Sequence, residues 1–415
     1  QLVSKTDPNG VETKYAYDSH GNLTKKTDGL GNSVVNVYDT RDNLISSTDK
    51  LGNKTEYTYD AKNNLTKIKY PGGGTVTKTY NSKNLLVSST DLRGVTTTYT
   101  YNAQNLLTKV SYASRTVTYA YIKGQPTTVT DPMGRTTTKT YNEAGFLTSV
   151  TDAQDNTTSY TYDNKGNVLT VTDAEGNISA KEYDAGGSLV KSTDAKGSVT
   201  SYTYNGNLKM TSMTLPNGKT IRYAYDGEDR LIRTSYPDGT TAENTYDAGG
   251  RLISQTDRDG NTTAFEYDAV NNIVKTTNAE GGVILKEYDA AGNLTKTKEP
   301  LTIYDPYYDF DYPEWYDEED LEWAMTNVTV TTSYLYDNNG RMIKSVNSQG
   351  GETVYTYNIA GDLLTVTDPM GNKTVNKYDA LGNLLIVTDP RGNTTTYTYD
   401  KADNLLTVKN ALNQI

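Results

Sequence analysis

Along most of this chain polar and bulky side chains alternate with a period of two. In Thr394-Thr395-Thr396-Tyr397-Thr398-Tyr399-Asp400 one face carries tyrosine and the other threonine, the pattern of a half-buried strand. The residues that follow, Asp400-Lys401-Ala402-Asp403-Asn404, are turn chemistry, and the same slot reads more regularly as Asp289-Ala290-Ala291-Gly292-Asn293. There the aspartate caps the turn through its carboxylate, and glycine supplies the positive φ of a type I turn with a bulge. A second strand comes next, as in Leu384-Leu385-Ile386-Val387-Thr388, and then a second turn, Asp389-Pro390-Arg391-Gly392-Asn393. The pattern predicts a unit of two short antiparallel strands and two tight turns.

The unit repeats. A Tyr-Asp or Tyr-Asn dipeptide falls every 21 residues at Tyr17, Tyr38, Tyr59, Tyr80 and Tyr101, and two steps of 20 lead through Tyr121 to Tyr141. The spacing of 21 resumes at Tyr162, Tyr183, Tyr204, Tyr225, Tyr246, Tyr267 and Tyr288; one step of 48 reaches Tyr336, followed by Tyr357, Tyr378 and Tyr399. These are the expected core tyrosines of 18 units, or about 36 strands in one all-β antiparallel meander. The boundaries read as 14 units over 1–298, an insertion over 299–326, and four units over 327–415, in one continuous repeat domain. Two positions before each key tyrosine the residue is usually Tyr or Phe265, but Asn36, Asn244, Asn376, Lys78, Lys139, Lys181 or Lys286 interrupt with a period of five units. That period fits either a duplication history or a superhelical turn of five units.

Composition narrows the fold and excludes several functions. Hydrophobic residues make up 34% of the 415 and the aromatic set is 36 Tyr, three Phe and two Trp, so burial must rest on rings that also carry a hydroxyl. No run of about 18 apolar residues exists to span a bilayer as a helix. Cysteine is absent and His20 is the only histidine, which rules out disulfides, thiolate metal sites and multi-histidine metal sites. No cofactor is expected. The net charge of -11 argues against nucleic acid as a partner. The chain opens on Gln1 and ends mid-unit at Ile415, so it reads as a mature product or as the scaffold portion of something larger.

The repeated Tyr378-Asp379-Ala380-Leu381-Gly382-Asn383-Leu384 motif, with its following Thr-Asp-x-x-Gly-Asn, resembles the YD (RHS) repeat. That repeat occurs in bacterial Rhs toxins, the B and C components of insecticidal toxin complexes, wall-associated proteins of Gram-positive bacteria and animal teneurins. The resemblance implies a β-sheet strip that spirals into a shell or tube, an extracellular location, secreted or at the cell surface, and a polypeptide cargo such as a toxin inside. The expected function is therefore a scaffold without catalysis; the alternative is an extracellular adhesive or structural fibre built from further copies of the chain.

Two places carry other chemistry. Self-cleaving relatives use a pair of aspartates in two Asp-Pro-x-Gly motifs, which the resemblance would map onto Asp368 and Asp389. The same form recurs at Asp7 and Asp131, and proline at the second position is ordinary turn chemistry, so turns are expected. The insertion holds ten acids and no Lys or Arg, together with Tyr307, Tyr308, Phe310, Tyr312, Trp315, Tyr316 and Trp323. It reads either as a docking loop for a basic protein, a glycan or a neighbouring copy, or as a cover over an exposed edge, with a short helix after Pro313.

Shape separates the two functions. A superhelical turn of five units would hold about ten strands at about 4.8 Å spacing, a tube about 15 Å across and filled by its own tyrosines. A wider spiral would leave a lumen, and the resemblance favours it.

Overall fold

The computed structural model describes residues 1–304, 325–412 and 414, with side chains for 1–300, 328–412 and 414. Among these residues there are 37 strands and no helix. They run from β1 (Ser4–Thr6) to β37 (Leu405–Lys409) in one antiparallel sheet. Each strand pairs with its sequence neighbours, as β1 with β2 (Glu12–Tyr17), β2 with β3 (Leu23–Thr27) and β3 with β4 (Ser33–Tyr38).

The turns form as their residues dictate. Asp18 N–H donates to Asn22 O at 3.0 Å and Gly21 N–H to Asp18 O at 3.2 Å, with Gly21 at φ +96°. Where glycine is replaced at this position, Asn or Asp generally stands in, as at Asn63 (φ 65°) and Asp229 (φ 61°). Leu208 is the exception, a 66% exposed leucine at φ 61°. The two 20-residue steps have a local cause. Ala113-Ser114 and Lys123-Gly124, all at positive φ, make two-residue turns in place of the longer ones.

Two departures from plain alternation lie at the YD end of each unit. Thr58 faces Lys67 but Tyr59 faces Leu65, so Thr66 bulges, and its hydroxyl donates to Thr58 O at 3.1 Å. Between successive YD hairpins the strands also splay. The strand Leu65–Lys69 pairs with the strand Thr75–Tyr80 only from Lys67↔Thr77 to Lys69↔Thr75, leaving the Leu65 end without a ladder partner on that side. Tyrosine fills the wedge: Tyr80 donates its hydroxyl to Leu65 O at 3.0 Å.

The faces follow the alternation. Tyr59, Tyr101, Tyr162 and Tyr399 are half-buried, whereas Thr58, Thr100, Thr161 and Thr398 are exposed. Among the described residues no large side chain is fully buried, because a single-layer sheet has no second layer to cover it.

The sheet closes on itself as a spiral. The 7–11 turn, between the first and second strands, meets the 247–251 turn, between the twenty-fourth and twenty-fifth, with Asn9 Nδ2 3.3 Å from Asp247 Oδ2. The 91–95 turn meets the 358–362 turn in the same way, through Arg93 and Asp362. Both contacts step 23 strands. One superhelical turn is therefore more than twice the ten strands that a five-unit period would give, so that period does not mark the superhelix. Twenty-three strands at about 4.8 Å make a circumference of about 110 Å and a backbone diameter of about 35 Å.

The insertion leaves the repeat undisturbed. β29 (Leu294–Tyr304) and β30 (Met325–Tyr336) pair from Lys296↔Ser333 out to Tyr304↔Met325, a hairpin arm that runs on past the length of the neighbouring strands. At its base Tyr336 still bonds Leu294 O at 2.8 Å, across 42 residues of sequence.

Replacing Leu208 by glycine removes left-handed strain at the cost of little buried surface. We expect a local gain of about 0.5–1 kcal/mol, read as slower amide exchange in the strands Val199–Tyr204 and Met210–Thr214; faster exchange would contradict the strain assignment.

Candidate functional site

Asp368 and Asp389 begin two successive turns on one rim of the sheet, and each carboxylate is spent on its own turn. Asp368 Oδ1 accepts from the backbone N–H groups of Met370 and Asn372 at 2.9 Å, and Oδ2 accepts from Asn372 Nδ2 at 2.8 Å. Asp389 makes the same three bonds with Arg391 and Asn393. The side-chain amides of Asn372 and Asn393 are the main cause that holds the two carboxyls below the ordinary range. A catalytic dyad needs one proton shared between two carboxyls; here each carboxyl is bonded by donors of its own turn.

The same geometry recurs at nearly every turn. The carboxyl of Asp39 is lowered to about 2, first by the side-chain amide of Asn43 and then by the backbone N–H of Asn43. These oxygens face inward on their own loops, so they are poor cation ligands, and the described residues contain no cluster of three or more His, Cys, Asp or Glu suited to a metal. In several units arginine replaces the last asparagine. Arg251 Nε then bonds Asp247 Oδ2 at 2.6 Å, its Nη1 reaches Asp268 O in the next turn at 3.1 Å, and its guanidinium lies 4.9 Å from the ring centre of Tyr267. His20 joins this rim through Asp42, at 2.9 Å, and is exposed.

The predicted core tyrosines form a ladder. Tyr38, Tyr59, Tyr80, Tyr101, Tyr162, Tyr204 and Tyr399 each donate the hydroxyl to the carbonyl of the leucine 15 residues earlier, at 2.7–3.1 Å. Met210, Ile273 and Met342 serve as acceptors elsewhere. The asparagines two positions before the key tyrosine donate to the same carbonyl: Asn36 to Leu23 O, Asn244 to Leu231 O and Asn376 to Leu363 O. Sequence inspection found these asparagines but not their partner, which lies 13 residues away in the preceding hairpin.

The bore follows from these elements. Taking about 5 Å of side chain from each side of the wall leaves about 25 Å, enough for an extended chain or a helix of about 10–12 Å. The aromatic residues of the insertion, Tyr307, Tyr308, Phe310, Tyr312, Trp315, Tyr316 and Trp323, and the helix expected there, lie outside the described residues.

A one-layer strip that winds on itself defines a class of repeat scaffold, the spiral β-shell. The RHS Repeat family model matches at residues 1–33, 38–75, 80–121, 123–157, 141–178, 204–241, 246–283, 336–373 and 378–415, most of the chain, and the chain belongs to that family. No curated protein matches it. Among solved structures it is similar to TcdB2-TccC3, with a TM-score of 0.61 and 14% identity over 96% of this chain and 27% of that one. It is also similar to TcdB2-TccC3-TEV, with a TM-score of 0.52 and 17% identity over 97% of this chain and 26% of that chain. A Tc holotoxin pore of Photorhabdus luminescens gives a TM-score of 0.52 at 16% identity, over 97% and 26%. The chain thus spans about a quarter of the length of these structures, and the likeness is one of fold.

Two outcomes follow from the aspartates. Because turn carboxyls such as those of Asp39, Asp368 and Asp389 sit below their unfolded values, the stability they contribute is complete above about pH 4 and is lost as pH falls towards the folded value, about 2 for Asp39. Circular dichroism should show the sheet signal declining between pH 4 and 2; a sheet that is indifferent to pH in that window would contradict the caps. Purified protein should also remain intact over days. A fragment that accumulates near the last two units and disappears in Asp389→Asn would assign Asp368 and Asp389 the catalytic role after all.

Proposed function

We propose that the chain is the wall of a shell that encloses a polypeptide, in a secreted or cell-surface protein related to toxins, and that it has no catalysis of its own. The observation that carries this reading is the step of 23 strands per turn. The fibre alternative drew its support from a narrow tube packed solid by tyrosine, and a bore of about 25 Å does not supply one. Family membership and the likeness to TcdB2-TccC3 support the same reading, and the likeness to the Tc holotoxin pore of Photorhabdus luminescens suggests a toxin context. The abundant turn carboxylates are employed in the fold, which leaves the scaffold role as the simplest account of them. A glycan, a basic protein or a neighbouring copy at the acidic insertion is part of the proposal as a secondary contact.

Protease protection tests the enclosure. The native gene product, with whatever flanks these repeats, is treated with proteinase K and the products are identified by mass spectrometry. A non-repeat polypeptide that resists digestion until the sheet is acid-unfolded is the expected result; digestion of every non-repeat segment at the rate of the same segment expressed alone overturns it.

A further inference from the structure

The wall is continuous along the strip but not across it. Every strand pairing among the described residues joins sequence neighbours, so no backbone ladder connects one gyre to the next. The gyres meet at turns and strand ends: Thr-Asp turns of the first gyre such as 7–11 and 91–95 abut Tyr-Asp or Tyr-Asn turns of the second, and Arg115, the first residue of its strand, reaches the 400–404 turn. These turns have already satisfied their own backbones, as 7–11 does through Asp7 N–H to Val11 O and Gly10 N–H to Asp7 O.

What crosses the seam is a short set of side-chain contacts. Asn9 Oδ1 accepts from Gly249 N–H at 3.0 Å while its amide donates to Asp247. Arg93 clasps Asp362 with two bonds, Nη2–Oδ1 at 2.5 Å and Nε–Oδ2 at 3.2 Å. Arg115 pairs with Asp403 further along, two strands beyond the step of 23. Between these points the fit depends on small residues. A Cβ at Gly249 would lie 2.2 Å from Asn9 Nδ2, and one at Gly72 would lie 2.8 Å from Asn339 Nδ2. Apolar contact is thin: Leu51 and Ile359, which border a hollow in the seam, remain 43% and 51% exposed.

We propose that this seam is a separable joint, clasped by Arg93–Asp362 and Arg115–Asp403, which parts to open the wall without unpairing any strand. Parting exposes little apolar surface and orphans one backbone N–H, that of Gly249, which water then satisfies. The strip itself is held together by pairings and tyrosine bonds that never cross the joint. Opening is then a bend of a single-layer sheet, spread over 23 strands. Arg93 also shares a hollow with Asp379, which neighbours Asp362 on the second gyre, so its removal leaves two carboxylates on that side of the seam without the cation they face. The joint goes beyond the enclosure reading: it exists whether or not anything is enclosed, and failure of the protease-protection test would leave it standing.

The test uses the chain described here, which has no cysteine. In Arg93→Ala/Arg115→Ala, small-angle scattering should show a larger radius of gyration and maximum dimension, while the far-ultraviolet sheet signal and strand amide exchange stay as in the wild type. Unchanged dimensions, or loss of sheet together with compactness, would overturn the proposal. A second pair reports closure directly. Asn9→Cys with Gly249→Cys should form a disulfide under mild oxidation, at least tenfold more slowly when both clasp arginines are removed. No crosslink, or equal rates, counts against the joint. Exchanging the charges, Arg93→Asp with Asp362→Arg, should restore the wild-type dimensions that Arg93→Asp alone loses; if it does not, the ion pair is not the clasp.

Discussion

The hydrogen bond from a tyrosine hydroxyl to a carbonyl 15 residues earlier is the interaction on which the rest of this structure depends. A single-layer sheet cannot bury side chains between layers, and here no large side chain is fully buried among the described residues. The strands also part at the YD end, where bulge and splay leave a carbonyl without a ladder partner on one side. One residue type meets both demands. The ring covers the wedge and the hydroxyl pairs the carbonyl, whereas phenylalanine would cover it and leave the acceptor bare. This accounts for tyrosine rather than phenylalanine at the repeated key position. It also accounts for Asn36, Asn244 and Asn376, which direct a second donor to the same carbonyl.

From that stitch the larger shape follows. Nearly every key tyrosine ties one YD hairpin to the hairpin before it, so the strip is cohesive along its length without help from a core. The ladder crosses even the insertion, from Tyr336 to Leu294. A cohesive strip can curve gently and still hold, and the curve closes only after 23 strands. Contact between gyres is then a secondary event between finished turns, carried by side chains such as Asn9, Arg93 and Arg115. Cohesion in the strip and closure of the wall are physically separate.

The aspartates show how repetition places turn chemistry in the pattern of an acid pair. Taken in isolation, Asp368 and Asp389 have the residue types and spacing of an acid pair. In the fold each is surrounded by donors from its own loop, and the same arrangement recurs at Asp39, Asp163 and Asp289. A carboxylate that organises a five-residue turn has little capacity left for a substrate.

Much of this was legible in the sequence because it is local. Period-two alternation fixed the strands and their faces, and the Asp-x-x-Gly-Asn slots fixed the turns, since the bonds of each turn fall within five residues. The core tyrosines could be chosen from spacing alone. The bulge at Thr66 could not, because it concerns which residue faces which across a hairpin and alternation does not encode that register. The partner of Asn36 was hidden for the same reason. The number of strands per turn was out of reach altogether: it is the sum of small angles between neighbouring strands, each below what any residue pattern specifies. Arg93 and Asp362 lie 269 residues apart, and only the accumulated curvature of the sheet brings them together.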